Sequence, residues 1–189
     1  MKVCVFCSSS DYVDEQYFEA ARDLGTLLSS NNFHLVYGGT DVGLMGALAK
    51  SMQEGEGQIT GVIPKFIFQK GIAYEGCNKL MVTRDMRERK ATMESLSDAF
   101  IALPGGFGTL EELMEIITLK QLMVHAKPIV LVNTGGFFNP LNGFFDQVYH
   151  QGFASERFRE LMKFVPNVWE AIKYIKSYRP ITTSDKWSK

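Results

Sequence analysis

Ala99-Phe100-Ile101-Ala102-Leu103-Pro104-Gly105-Gly106-Phe107-Gly108-Thr109-Leu110-Glu111-Glu112 is the stretch that decides the fold. A short apolar run ends on proline, glycines follow, and a helical pattern begins. A buried strand that passes straight into a helix is the repeating unit of a parallel α/β sheet. Glycine lets the backbone turn sharply and brings bare N–H groups close to a ligand. The start of the helix adds unpaired donors and a partial positive charge, so the junction reads as a cradle for an anion such as phosphate. Thr109 is placed to cap the helix and to offer a hydroxyl. The plain alternative is a tight turn that merely starts a helix, and the sequence matches neither a Walker P-loop nor a Gly-x-Gly-x-x-Gly fingerprint.

The same alternation extends outward on both sides. Apolar runs at 3–7, 34–37, 58–63, 80–83, 99–103 and 129–132 read as strands, and helical spacing covers 15–29, 43–52, 85–96 and 109–123. Residues 65–76 show no clean period and read as a long loop with a helical turn. Asn139-Pro140 opens a further helix, with Asn as its cap and Pro in the first helical position. Two more helical stretches lie near 155–164 and 167–178. The strands are continuous apolar runs, as burial on both faces requires. The expectation is one α/β domain over residues 1–178, with a parallel sheet of about six to seven strands and helices on both faces. A polar tail, 179–189, is expected to fray.

Bulk properties narrow the function. A chain of 189 residues suits one domain with a proper core. A net charge of -1 and a pI near 6.3 lack the basic excess of a nucleic-acid binder. The first apolar run stops at Ser8-Ser9-Ser10, too short for a signal peptide, and no run approaches the length of a membrane span. With an odd three cysteines, these features lead to an expected cytoplasmic location, with no membrane or nucleic-acid partner. Cys4 and Cys7 form a CxxC inside an apolar strand without a second pair, so they read as core thiols. His34, His125 and His150 are scattered, and neither metal nor organic cofactor is expected. The aromatic-rich stretch 137–153 reads as core or as a partner surface.

In open α/β sheets, ligands bind beyond the carboxyl ends of the strands. Glu111, Glu112 and Glu115 sit in the first turns after the glycines, where acids complement the helix dipole. A carboxylate beside phosphate repels it, so these acids must face something else. Ribose hydroxyls, or the positive charge that develops at C1' when a glycosidic bond breaks, would suit them. Arg84-Asp85-Met86-Arg87-Glu88-Arg89-Lys90 stands at the end of another strand. Such a run is otherwise a solvated helix face. Arginine does not deprotonate, so Arg89 suits an orienting, electrostatic role. Tyr37-Gly38-Gly39-Thr40-Asp41-Val42-Gly43-Leu44-Met45-Gly46 is a third strand, glycine turn and helix, with Gly43 and Gly46 there for close packing or for ligand access. Ser8, Ser9 and Ser10 can offer hydroxyls to the same crevice.

These motifs together resemble the LOG family, the cytokinin riboside 5'-monophosphate phosphoribohydrolases also labelled "possible lysine decarboxylase". The similarity runs from the first strand to about Trp169. It implies a Rossmann-like parallel sheet and a homodimer, in which some members complete each pocket from the neighbouring subunit. It also implies hydrolysis of the N-glycosidic bond of a purine nucleoside 5'-monophosphate, of cytokinin or adenine type, to free base and ribose 5-phosphate. By position, Arg89 and Glu112 match the family's catalytic pair. Lys90, Gly106, Phe107, Gly108, Thr109, Leu110, Glu111 and Thr118 match its nucleotide-binding positions. Gly105, Gly39 and Ser8, from the turns themselves, complete the expected substrate-binding set.

Three positions depart from the pattern. Gly71 stands where many members have a glutamate, with Glu75 nearby; Arg87 replaces a usual histidine; Thr40 replaces a glycine. Gly71 and Arg87 lie around the expected base-binding side. The alternative is a non-catalytic carrier of a phosphorylated ligand such as molybdenum cofactor, because such carriers resemble this family. Retention of both Arg89 and Glu112 favours the enzyme. Lysine decarboxylation is set aside, since it needs a Schiff-base lysine for pyridoxal phosphate that no motif here identifies.

Overall fold

Strand β1 (Lys2–Phe6) lies at the centre of the sheet and divides its side chains between two cores. Val3 and Val5 face a layer containing Leu24, Leu28, Leu48 and Ile172, whereas Cys4 and Phe6 face Met93, Leu113 and Ile116. That two-residue alternation, with both faces covered, is why the strand reads as unbroken apolar sequence. The computed structural model describes residues 1–180, so most of the expected polar tail, 181–189, lies outside the described residues.

The other elements follow in strict alternation. They are α1 (Glu15–Ser30), β2 (His34–Tyr37), α2 (Gly43–Glu54), β3 (Ile59–Pro64), the short α3 (Lys65–Phe68), β4 (Lys79–Thr83), α4 (Met86–Leu96), β5 (Ala99–Ala102), α5 (Phe107–Gln121), β6 (Ile129–Val132), α6 (Asn139–His150), β7 (Lys163–Val165) and α7 (Val168–Ser177). Among the described residues one sheet forms, of seven strands in the order β4-β3-β2-β1-β5-β6-β7, every pairing parallel. This is the expected single Rossmann-like α/β architecture. After β4 the chain returns to pair β5 with the other edge of β1, in the register Val3↔Ala99. The boundary between β1 and β5 is therefore the topological switch point, where open sheets of this kind place their ligands. Helices α1 and α2 pack closely on one another because Gly25 has no side chain: a Cβ would sit 2.7 Å from the carbonyl oxygen of Leu48.

Two details differ from expectation, and a third, Lys120, is one the sequence does not announce. The stretch 155–164 is not one α-helix but a 3-10 turn, Glu156–Leu161, followed by β7, which extends the sheet beside β6. Phe158 and Leu161 are buried three residues apart, a spacing that imitates a helix. Asn139 does not cap α6: its carboxamide oxygen accepts from Asn133 Nδ2 at 2.7 Å, and Phe138 occupies the cap position. Lys120 is buried in α5 and donates from Nζ to the Leu161 carbonyl at 2.8 Å; burial pushes its pKa down to about 8.

Leu24 is fully buried between α1 and the sheet. Leu24→Ala should cost about 2–5 kcal/mol, read as a lowered urea midpoint with an unchanged slope.

Candidate active site

The carboxyl ends of β1, β2 and β3 meet the first turns of α4 and α5 around a cleft of about 590 Å³, a size that suits a small-molecule ligand. Its floor is set by α5. The helix starts at Phe107, earlier than the expected Thr109, and Gly106 is its N-cap with no side-chain cap bond. The first intrahelical bond runs from Leu110 N to Gly106 O at 3.0 Å, so the N–H groups of Phe107, Gly108 and Thr109 precede it and point out of the helix end. Thr109 is buried in the first turn and does not cap. It packs beneath Gly105, where an added Cβ would collide with its hydroxyl oxygen. The turn is thus tight enough to need glycine at Gly105, and it leaves unpaired donors at a positive helix end.

One turn deeper, Glu112 forms an ion pair with Arg89 of α4, each residue only 7% exposed. The guanidinium is fixed on its other side: Arg89 Nε donates to the Val62 carbonyl of β3 at 3.0 Å. Burial pushes the Glu112 carboxyl above the usual carboxylate range, and the Arg89 charge and hydrogen bond pull it back only in part. Glu111 raises it slightly, while Lys90 lowers it. Cys7, at the end of β1, also lines the cleft; burial first, and the Glu112 charge second, push its thiol well up, so it stays neutral.

Opposite the glycine turn the wall is apolar, formed by Val42, Met45, Ile67, Ile72 and Met86. Residues 65–76 are not a loose connection. Thr40 forms an antiparallel bridge with Ala73, Asp41 N bonds Ile72 O at 2.9 Å, and Tyr74 N bonds Gly39 O at 3.0 Å. Those main-chain bonds hold Ile67 and Ile72 at the cleft. At Gly71 the φ is +71°, a left-handed conformation that disfavours any other residue, and no atom lies near the space a side chain would fill.

Arg89, Glu112, Gly106, Phe107, Gly108, Thr109 and Ser8 all line this cleft. Gly105 lines a neighbouring apolar pocket of about 270 Å³ that shares Ser8, Ser10 and Gly106 with it. The remaining expected residues lie outside it. Lys90 faces away, paired with Glu111 and with Glu115 at 2.6 Å; burial opposes its charge, but the two carboxylates outweigh that and raise its pKa. Leu110 packs into the core, and Thr118 is exposed and bonds back to the Met114 carbonyl of its own helix at 2.8 Å. Gly39 has φ +77° and is needed for the turn beneath the wall. Sequence reasoning did not single out Met45, Ile67, Ile72 or Cys7 as cleft residues: Met45 and Cys7 look like ordinary core, and Ile67 and Ile72 fall in the stretch read as a long loop.

Arg89→Ala should leave a buried carboxylate without its partner, a loss of about 3–5 kcal/mol. A carboxyl raised by burial stabilises the fold below its unfolded pKa and loses that contribution as pH rises through the folded value. The variant raises Glu112 further, so its deficit against wild type should be larger at about pH 8 than at about pH 5. Urea unfolding at both values checks this, and an equal deficit would contradict it.

Comparison with known proteins gives the family. The family model described as possible lysine decarboxylase matches residues 45–175. The chain is 43% identical over 179 residues to the cytokinin riboside 5'-monophosphate phosphoribohydrolase LOG3 of Arabidopsis thaliana, covering 95% of this chain and 83% of that protein. It is 44% identical to LOG1 of the same plant, with 95% and 84% covered. Among solved structures, the molybdenum cofactor binding protein of Rippkaea orientalis superposes with a TM-score of 0.75 at 20% identity, covering 93% of this chain and 95% of that one, a likeness of fold alone. On the strength of the sequence matches, the chain belongs to the LOG family.

Proposed function

We propose that the chain hydrolyses the N-glycosidic bond of a purine nucleoside 5'-monophosphate, of cytokinin or adenine type, and that the cleft described above is where it does so. The observation that carries this reading is the buried Arg89–Glu112 pair one turn behind the open N–H end of α5, both facing the same cleft. The phosphate sits on the N–H groups of Phe107, Gly108 and Thr109, where the helix end favours an anion. That places the sugar over Glu112. As the bond from C1' to the base lengthens, positive charge grows on the ring, and a fixed carboxylate stabilises it. Arg89 holds Glu112 in place and stands beside the leaving base. Water attacks C1', its oxygen forms the new bond, and the proton it sheds balances the one taken up by the departing base. The products are free base and ribose 5-phosphate.

The apolar wall of Met45, Ile67, Ile72 and Met86 suits a base more than a second charged group. The carrier reading rests on likeness of fold, and a pure carrier has no use for a buried carboxylate beside the sugar. A homodimer is part of the same reading. Phe107 stands 93% exposed at the cleft rim, a large apolar side chain that a second subunit would cover.

Incubation with AMP or with isopentenyladenosine monophosphate should release base and ribose 5-phosphate, followed by chromatography. Glu112→Gln should lower turnover by at least about a hundredfold while the protein still melts cooperatively. Wild-type rates in that variant would remove Glu112 from the mechanism. Ligand binding without base release from every monophosphate tried would favour the carrier.

A further inference from the structure

Gly38 follows the last residue of β2 and lines the cleft beside Arg89. The adjoining Gly39 has a positive φ and needs glycine for its backbone; Gly38 does not have one. What sets Gly38 apart is space. A Cβ there would lie 2.7 Å from Arg89 Nη2 and 2.6 Å from Met45 Sδ. Both are ends of long side chains, so the fold can absorb the change, but the two differ in freedom. The Met45 thioether accepts from the Thr40 hydroxyl at 3.6 Å and is otherwise held by apolar packing. The guanidinium is buried and tied at Nε to Val62 and at Nη1 to Glu112, so it cannot retreat without loosening one bond or the other.

We propose that Gly38 is a positioning residue, whose missing side chain is the seat for the Arg89 guanidinium and so fixes Glu112 at the sugar. This inference rests on the catalytic reading of that pair. It makes β2 a fourth support of the site, beside β3 and the two helices that carry the charges. Replacement of Gly38 acts on turnover through Arg89, not through folding or through access to the cleft.

The test is Gly38→Ala, measured alone and in a Met45→Ala background. The melting temperature should change little, while kcat falls by about ten- to a hundredfold, the scale expected for a misplaced catalytic group, and KM moves less. Glu112 loses part of its counter-charge, so the acid limb of the kcat profile should move to higher pH. The fold-loss on Gly38→Ala should be the same with Met45 present or truncated. A loss that vanishes in the Met45→Ala background would assign the effect to methionine crowding and overturn the proposal; so would wild-type kcat in Gly38→Ala. If wild type itself releases no base, the proposed function fails, and the NMR signal of the Arg89 Nε–H still decides the seat: it should shift or vanish in Gly38→Ala, and an unmoved signal refutes the seat. Should Gly38→Ala fail to fold, it is made in an Arg89→Met/Glu112→Leu background, where apolar side chains replace the buried pair; recovered folding there supports the seat, and failure in a background that folds by itself places the requirement in the backbone and ends the proposal.

Discussion

A guanidinium and a carboxylate taken out of water together lose several kcal/mol of hydration each, and recover it only if their geometry is good and their remaining hydrogen-bonding atoms are satisfied. Arg89 and Glu112 meet that condition with help from a distance. The carbonyl of Val62 comes from β3, the arginine from α4 and the glutamate from α5. For these three to converge, β3 must lie two strands from β1 on one side while β5 delivers α5 from the other, the observed strand order. The sheet thus does more than bury apolar surface: it sets the separation at which two opposite charges can be kept dry beside an open cleft.

Much of this could be read from the residues, because the governing signals are local. Continuous apolar runs bounded by glycine and alternating with helical spacing specify a parallel sheet, and the strand-to-helix turn at Gly105 and Gly106 specifies where an anion can sit. The failures have physical causes as well. β7 is three residues long, too short to show a period, and the buried Phe158 and Leu161 before it carry a helical spacing. Thr109 has the chemistry of a cap, yet the helix begins before it because Gly106 already supplies the extended backbone that a cap requires. Lys90 lies next to Arg89 in sequence, but successive residues on a helix face different ways, so one enters the cleft and its neighbour joins Glu111 and Glu115 outside. Lys120 was legible only as a charge on a helix; that it ends against a carbonyl from a distant turn depends on tertiary packing.

The wall opposite the glycine turn shows how a connection without periodic sequence can still be rigid. Its main chain is stitched to the first glycine turn at Asp41, Thr40 and Gly39, so Ile72 is presented by backbone hydrogen bonds outside any regular element, while Ile67 comes from the single turn of α3. Gly71 fits that course with a left-handed conformation, and Glu75 is exposed. The wall therefore presents methyl and thioether groups to the cleft.

The order in which the chain supplies its parts has a further consequence. Every residue lining the main cleft falls between Val5 and Glu112, whereas β6, α6, β7 and α7 complete the flank of the sheet and its core. That later third carries large exposed side chains, including Phe144, Phe153 and Trp169, none of them at the cleft. Chemistry and outer shape are thus written in separate stretches of one gene product. The exposed positions of the second are free to change its packing against other molecules, while its buried ones stay tied to the core and, through Leu161 and Lys120, to α5.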